Sequence, residues 1–266
     1  MIKRVLRYCA QLISNRNKSQ SDRGDFDPVS LREDDVLVTS YPKSGNTWVR
    51  FLLANALYPN HPVDFHSIHE LIPEVGEEGR RRSGLGSPRL LKSHAPYQPD
   101  YPRVIYVLRD GRDVYTSYFH YRRGDLPDET TFEEYLARDD HWPSRWSEHV
   151  TEWTDAARSN DSILTVRYED LIEDSAAALR RMLNFLGQTS IDDERISQAA
   201  ESSRFDNMRS LEKEKGREKE DDTDRFIRKG KVGNWRNLFT DRARKIFKKR
   251  EGDVLQRLGY ARRDNW

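Results

Sequence analysis

"TSYPKSGNTWVR", residues 39–50, places a lysine, a serine, a glycine, an asparagine and a threonine between an apolar run and a helix-forming segment. The run before it, Val36-Leu37-Val38, follows the charged Arg32 to Asp35 and predicts a buried parallel strand. Trp48, Phe51, Leu52 and Ala56 then recur at helical spacing. The polar cluster therefore falls where a strand ends and a helix N-terminus begins, the place where free backbone N–H groups and the positive end of the helix dipole collect anions. Gly45 lets the backbone approach such an anion closely. The Walker A order, with lysine after the second glycine, occurs nowhere in the 266 residues. Lys43 precedes its glycine, so a phosphate loop here would not be the usual NTPase one. The stretch alone also admits a polar strand-to-helix turn with one solvated lysine.

Composition narrows the class. The chain is 35% hydrophobic and 34% charged with a formal net charge of +1, which predicts one sizeable core under a surface of mixed sign and gives no argument for a nucleic-acid partner. Cys9 is the single cysteine, which excludes an internal disulfide and suits a reducing, cytoplasmic setting. No run approaches a membrane span. Residues 1–25 form a separate basic segment. Within residues 1–24, Ile2, Val5, Leu6, Cys9, Leu12 and Ile13 fall on one helical face, so the segment could either touch an anionic membrane peripherally or pack on the domain.

Further strand-turn-helix units follow. "PRLLKSHAPY", residues 88–97, gives a short strand at Leu90 and Leu91 ending in Lys92, Ser93 and His94. "RVIYVLRDGRDVYTSYFHY", residues 103–121, gives an apolar strand, then Arg109, a turn and a helix carrying Ser117. "SILTVRYEDL", residues 162–171, adds a fourth strand before a helix ended by Gly187. Alternation of strands and helices predicts one α/β domain over residues 26–266, a central parallel sheet flanked by helices, with ligands at the carboxyl ends of its strands. Every polar cluster named so far lies at such an end. Residues 211–224 hold eleven charged positions in fourteen, predicting a mobile loop over about 211–227 that leads into "RFIRKGKVGNWRNLFT", residues 225–240.

In order and spacing, "YPKSGNTW", "LLKSHAP", "RDGRDVYTSYFHY" and "RKGKVGNW" resemble the cytosolic-type sulfotransferases, which use 3'-phosphoadenosine 5'-phosphosulfate (PAPS) as sulfuryl donor and release PAP. The resemblance runs from about Phe26 to Tyr260. It implies that Lys43, Ser44, Gly45, Asn46 and Thr47 hold the 5'-phosphosulfate, with Lys43 at the bridging oxygen and Trp48 near the adenine. Arg109 and Ser117 would bind the 3'-phosphate together with Arg228, Lys229 and Gly230, and Tyr168 and Phe205 would contact the adenine. His94 matches the family's catalytic base and Lys92 the lysine beside the sulfuryl group. No metal is implied, and the chain shows neither an H-E-x-x-H run nor a cysteine pair. The chain departs from the family in several places: Asn234 replaces its usual Asp, Ser203-Arg204 replaces a Thr-Ser pair, and Arg236, Thr240, Asp241 and Lys245 do not keep its dimer motif, so no oligomeric state is carried over.

The residue types suit the chemistry. In-line sulfuryl transfer to an alcohol or amine needs a base for the acceptor proton and a cation at the leaving oxygen. Two alternatives stand beside this reading: a P-loop-related kinase, against which the absent Walker A order and the His94 base speak, and a non-catalytic module that binds PAP or phosphate, which needs no base. Phe65, His66, Tyr97, Phe119 and Tyr121 are the expected acceptor pocket, a mixed set that suits a phenol, a steroid-like alcohol or a glycolipid. Trp142, Trp146 and Trp153 are expected to anchor a helical segment.

Overall fold

The computed structural model describes residues 31–77, 81–216, 230–262 and 266. The basic segment 1–25, Arg228 and Lys229 lie outside the described residues. Four parallel strands form the sheet: β1 (Asp35–Ser40), β2 (Arg89–Ser93), β3 (Val104–Leu108) and β4 (Ile163–Arg167), in the order β2-β1-β3-β4. The chain leaves β1 toward one edge and β3 toward the other. The carboxyl ends of β1 and β3 therefore flank a topological switch point, where an open α/β sheet leaves a crevice.

Apolar strand residues alternate between two cores. Val36, Val38, Leu90, Ile105 and Val107 face one side, where they meet α1 (Asn46–Leu57), and farther along the chain α7 (Ser175–Phe185) and α8 (Asp193–Ser202). Leu37, Leu91, Val104, Tyr106 and Leu108 face the other, against α3 (Gly111–Tyr121), α5 (Trp146–Ala156) and α10 (Asp241–Arg257). The second core is rich in aromatics, with Trp146 and Trp153 fully buried as expected. Gly111 is required there, because a Cβ would lie 2.8 Å from the Trp146 ring.

At the amino ends of the strands, Arg89 Nε and Nη2 each donate to one oxygen of Asp35 at 2.6 Å, a bidentate pair between register partners. Both residues are buried. Between α1 and β2 the excursion over residues 60–88 includes one short helical turn, α2 (Ile68–Leu71). Glu74 joins the edge of β2: Lys92 N donates to Pro73 O at 2.7 Å and Val75 N to Lys92 O at 3.0 Å.

After α3 the chain forms α4 (Phe132–Ala137), and after β4 a short α6 (Tyr168–Glu173) precedes α7. Gly187 follows α7 at φ 75°. The charged stretch differs from expectation at its start. α9 (Phe205–Lys215) carries the chain helically through residues 211–215 and stops at Gly216, φ 69°. Met208 is buried, Leu211 packs against the first core, and Lys215 pairs with Asp64 at 3.0 Å, so tertiary contacts hold a helix where local charge density predicts a loop.

Candidate active site

The loop after β1 has an unusual backbone. Lys43 takes φ 66° and Gly45 φ 104°, and Lys43 is the only non-glycine residue with positive φ among those described. A side chain in that region costs about 1 kcal/mol or more and persists where the surroundings impose it. Here the imposing group is Arg109, whose Nη1 donates to Lys43 O at 3.0 Å. Gly45 is the N-cap of α1, makes no side-chain cap, and no acidic residue occupies the first turn. The leading N–H groups of a twelve-residue helix thus keep their capacity for an anion.

Around this loop three aromatic and cationic groups close up. Arg109 lies 4.0 Å from the Tyr168 ring centroid, and Trp48 meets the same ring edge-on at 5.6 Å. A Cβ at Gly45 would sit 2.7 Å from Tyr168. Trp48 Nε1 and Arg109 Nε are buried without a hydrogen-bond partner. A nucleotide with anionic groups fits such a place, since it offers acceptors to these donors and a flat ring to the aromatics. Phe205 packs at the margin of the first core and against Gly230, where a Cβ would overlap its ring. Lys43, Trp48, Arg109 and Tyr168 therefore belong to one neighbourhood, Phe205 and Gly230 form a contact of their own, and Ser117 is half-buried on α3.

Asn46 differs from its expected role. Its side-chain amide donates inward to Val38 O at 2.8 Å and Ser93 O at 3.5 Å, tying the ends of β1 and β2 together. As a donor to an anion it is left with its backbone N–H.

His94 follows directly on β2. Its Nδ1 lies 2.7 Å from Ser40 O, and a carbonyl only accepts, so Nδ1 carries the proton and Nε2 keeps its lone pair. Burial holds this imidazole well below its ordinary value, at about 3; the Lys92 ammonium adds to the shift and the Glu74 carboxylate opposes it. The ring is therefore neutral at physiological pH. Lys92 Nζ pairs with Glu74 at 3.2 Å. Behind His94, Ala95 O accepts from His149 Nε2 at 2.9 Å and Trp153 Nε1 at 3.1 Å, fixing the backbone that carries the imidazole.

The five expected acceptor residues do not gather. Phe65 is 5% exposed and packs on Phe51 in the first core, whereas Phe119 is 8% exposed and packs on Phe132 and Tyr135 in the second, across the sheet. One pocket cannot hold both. His66 is exposed, and Tyr97 lies edge-on against Trp153 at 5.2 Å. Tyr121 does stand at the site, its ring centroid 4.3 Å from Lys43 Nζ. Trp142, assigned a purely anchoring role on sequence grounds, instead meets the His94 ring edge-on at 5.9 Å. No local pattern marks it, because the contact spans separate segments of the chain.

The sequence profile described as "Sulfotransferase domain" matches residues 33–259. Cytosolic sulfotransferase 1 of Danio rerio is 31% identical over 239 residues, covering 79% of this chain and 78% of that one. Sulfotransferase 1 family member D1 of Rattus norvegicus is 30% identical over 242 residues, 79% of each chain. The crystal structure of mouse sulfotransferase SULT7A1 complexed with PAP superposes with a TM-score of 0.66 at 26% identity, covering 87% of this chain and 89% of that one. With nearly its whole length matched, the chain belongs to the sulfotransferase domain family and is a PAPS-dependent sulfotransferase.

Proposed function

We propose that His94 and Lys43 carry the transfer, with Lys92 assisting, and that the acceptor presents its hydroxyl on an aromatic or fused-ring body. The observation that carries this is the Ser40–His94 hydrogen bond, which leaves Nε2 unprotonated on a ring held at the end of β2. His94 Nε2 takes the proton as the acceptor oxygen bonds to sulfur, while Lys43 faces the charge that collects on the 5'-phosphate oxygen as the old S–O bond breaks. Lys92 meets the equatorial sulfuryl oxygens. Negative charge brought against Lys43 and Lys92 counters the depression of the His94 pKa and brings the imidazole toward the range of a working base. Ser44, Gly45, Asn46 and Thr47 contribute the loop and helix N-terminus to the 5'-phosphosulfate. Arg109, Ser117, Gly230 and, beyond the described residues, Arg228 and Lys229 serve the 3'-phosphate, and Trp48, Tyr168 and Phe205 the adenine. Tyr121 and Trp142 flank the two reacting groups, which favours a flat acceptor such as a phenol or steroid-like alcohol.

The test is transfer from labelled PAPS to a panel of phenols, fused-ring alcohols and glycolipids without added metal, using wild type and the His94→Ala and Lys43→Ala variants. Transfer lost in His94→Ala with PAP binding retained supports these roles; full transfer in His94→Ala removes them. A glycolipid acceptor brought in through residues 1–24 is the second possibility, resting on the basic amphipathic pattern of that segment. Full-length protein that does not sediment with anionic liposomes would eliminate it.

A further inference from the structure

We propose that Asp113 is a positioning residue for donor selectivity: it clamps the Gly230–Trp235 turn onto the helix bearing Ser117 and so fixes the pocket that separates a 3'-phosphorylated nucleotide from its unphosphorylated counterpart. This rests on the nucleotide assignment made above. Asp113 is 2% exposed, in the first turn of α3. Its Oδ2 accepts from Gly233 N at 2.7 Å and its Oδ1 from Trp235 N at 2.9 Å. One carboxylate thus satisfies two backbone donors of a turn that is 120 or more residues away in sequence.

Both ends of the clamp lead to the site. On the helix side, Asp113 and Ser117 are four residues apart and share a face, and the Arg109 charge acts on the carboxylate, opposing the rise in pKa that burial causes. On the turn side, Trp235 is 2% exposed and lies under the Arg112 guanidinium at 4.2 Å, so the anchor point is rigid. Gly230, at φ 56°, presses its backbone against the Phe205 ring. A displaced turn would move Gly230 and release Phe205 together, while leaving the loop after β1 in place.

Neither asparagine nor alanine keeps both bonds. Asparagine offers one acceptor and turns an NH₂ toward the second N–H; alanine orphans both donors. The experiment measures the affinities of full-length wild type, Asp113→Asn and Asp113→Ala for PAP and for adenosine 5'-monophosphate by calorimetry. Wild type is expected to prefer PAP, and Asp113→Asn to lose about tenfold or more of that ratio, the loss lying in PAP affinity with the monophosphate affected about twofold or less. A folded Asp113→Asn with the wild-type ratio overturns the proposal. Should the variants fail to fold, hydrogen exchange on wild type decides: PAP must protect the Gly233 and Trp235 amides more than the monophosphate does, and equal protection also overturns it. Wild type with no preference for PAP would instead sink the nucleotide assignment itself, and this proposal with it.

Discussion

Ser40 O and His94 Nδ1, 54 residues apart, meet at 2.7 Å across the ends of β1 and β2. The contact selects the tautomer that leaves Nε2 as a proton acceptor, and it ties the imidazole to the strand that feeds the loop at residues 41–45. Replacing His94 by glutamine is expected to lower kcat by about 10²–10⁴-fold, the usual contribution of a general base. PAP affinity should hold within about twofold, so that steady-state kinetics and calorimetry together separate a lost base from a lost site. A variant with normal kcat would show that another group takes the proton.

Gly45 combines φ 104° with a Cβ position 2.7 Å from Tyr168. Gly45→Ala should therefore lose about 1–3 kcal/mol of stability from backbone conformation alone, and weaken PAP binding further by pushing Tyr168 away. Gly76 is the control, because it shares a positive φ of 87° and has nothing within 4 Å of its Cβ position. Gly76→Ala should destabilise without changing the PAP dissociation constant; equal effects of the two variants on PAP would contradict the assignment of Gly45.

The buried Asp35–Arg89 pair supports the amino ends of β1 and β2, opposite the site. Removing one partner leaves an uncompensated charge, so Asp35→Ala should cost about 3–5 kcal/mol in urea unfolding. A double replacement by apolar residues should recover much of that loss. If Asp35→Ala were neutral, the pair would not be closed off from water as its geometry implies.

Two imidazoles, in addition to that of His94, set an acid limit on stability. Burial lowers His149 and His141 from 6.5 to about 4 each. Between those values the unfolded chain binds protons that the folded chain refuses, so this stability is complete above about pH 6.5 and is lost as pH falls toward about 4. The melting temperature should drop across that window, and less steeply in His149→Gln. Asp113 and Glu169, whose pKa values burial raises, act in the opposite sense, so the difference between wild type and variant isolates the imidazole. Parallel pH profiles would refute the assignment.

The sequence alone determined the class of fold and the strand-loop-helix at residues 39–50. These are local properties: an apolar run too short for a helix, polar residues at its end, and then helical periodicity. Only the tertiary structure decided which side each group takes. Val36-Leu37-Val38 is buried on both faces, so its pattern carries no sidedness, and nothing local tells Phe65 from Phe119 although they lie in different cores. Asn46 turned inward because two carbonyls from different strands converge on it, and Trp142 came to face His94 because segments far apart in sequence pack together. The Asp113 clamp has the same origin. A hydrogen bond between residues 113 and 233 leaves no periodic trace along the chain, since it comes into being only when the folded sheet and its helices bring the turn to the helix.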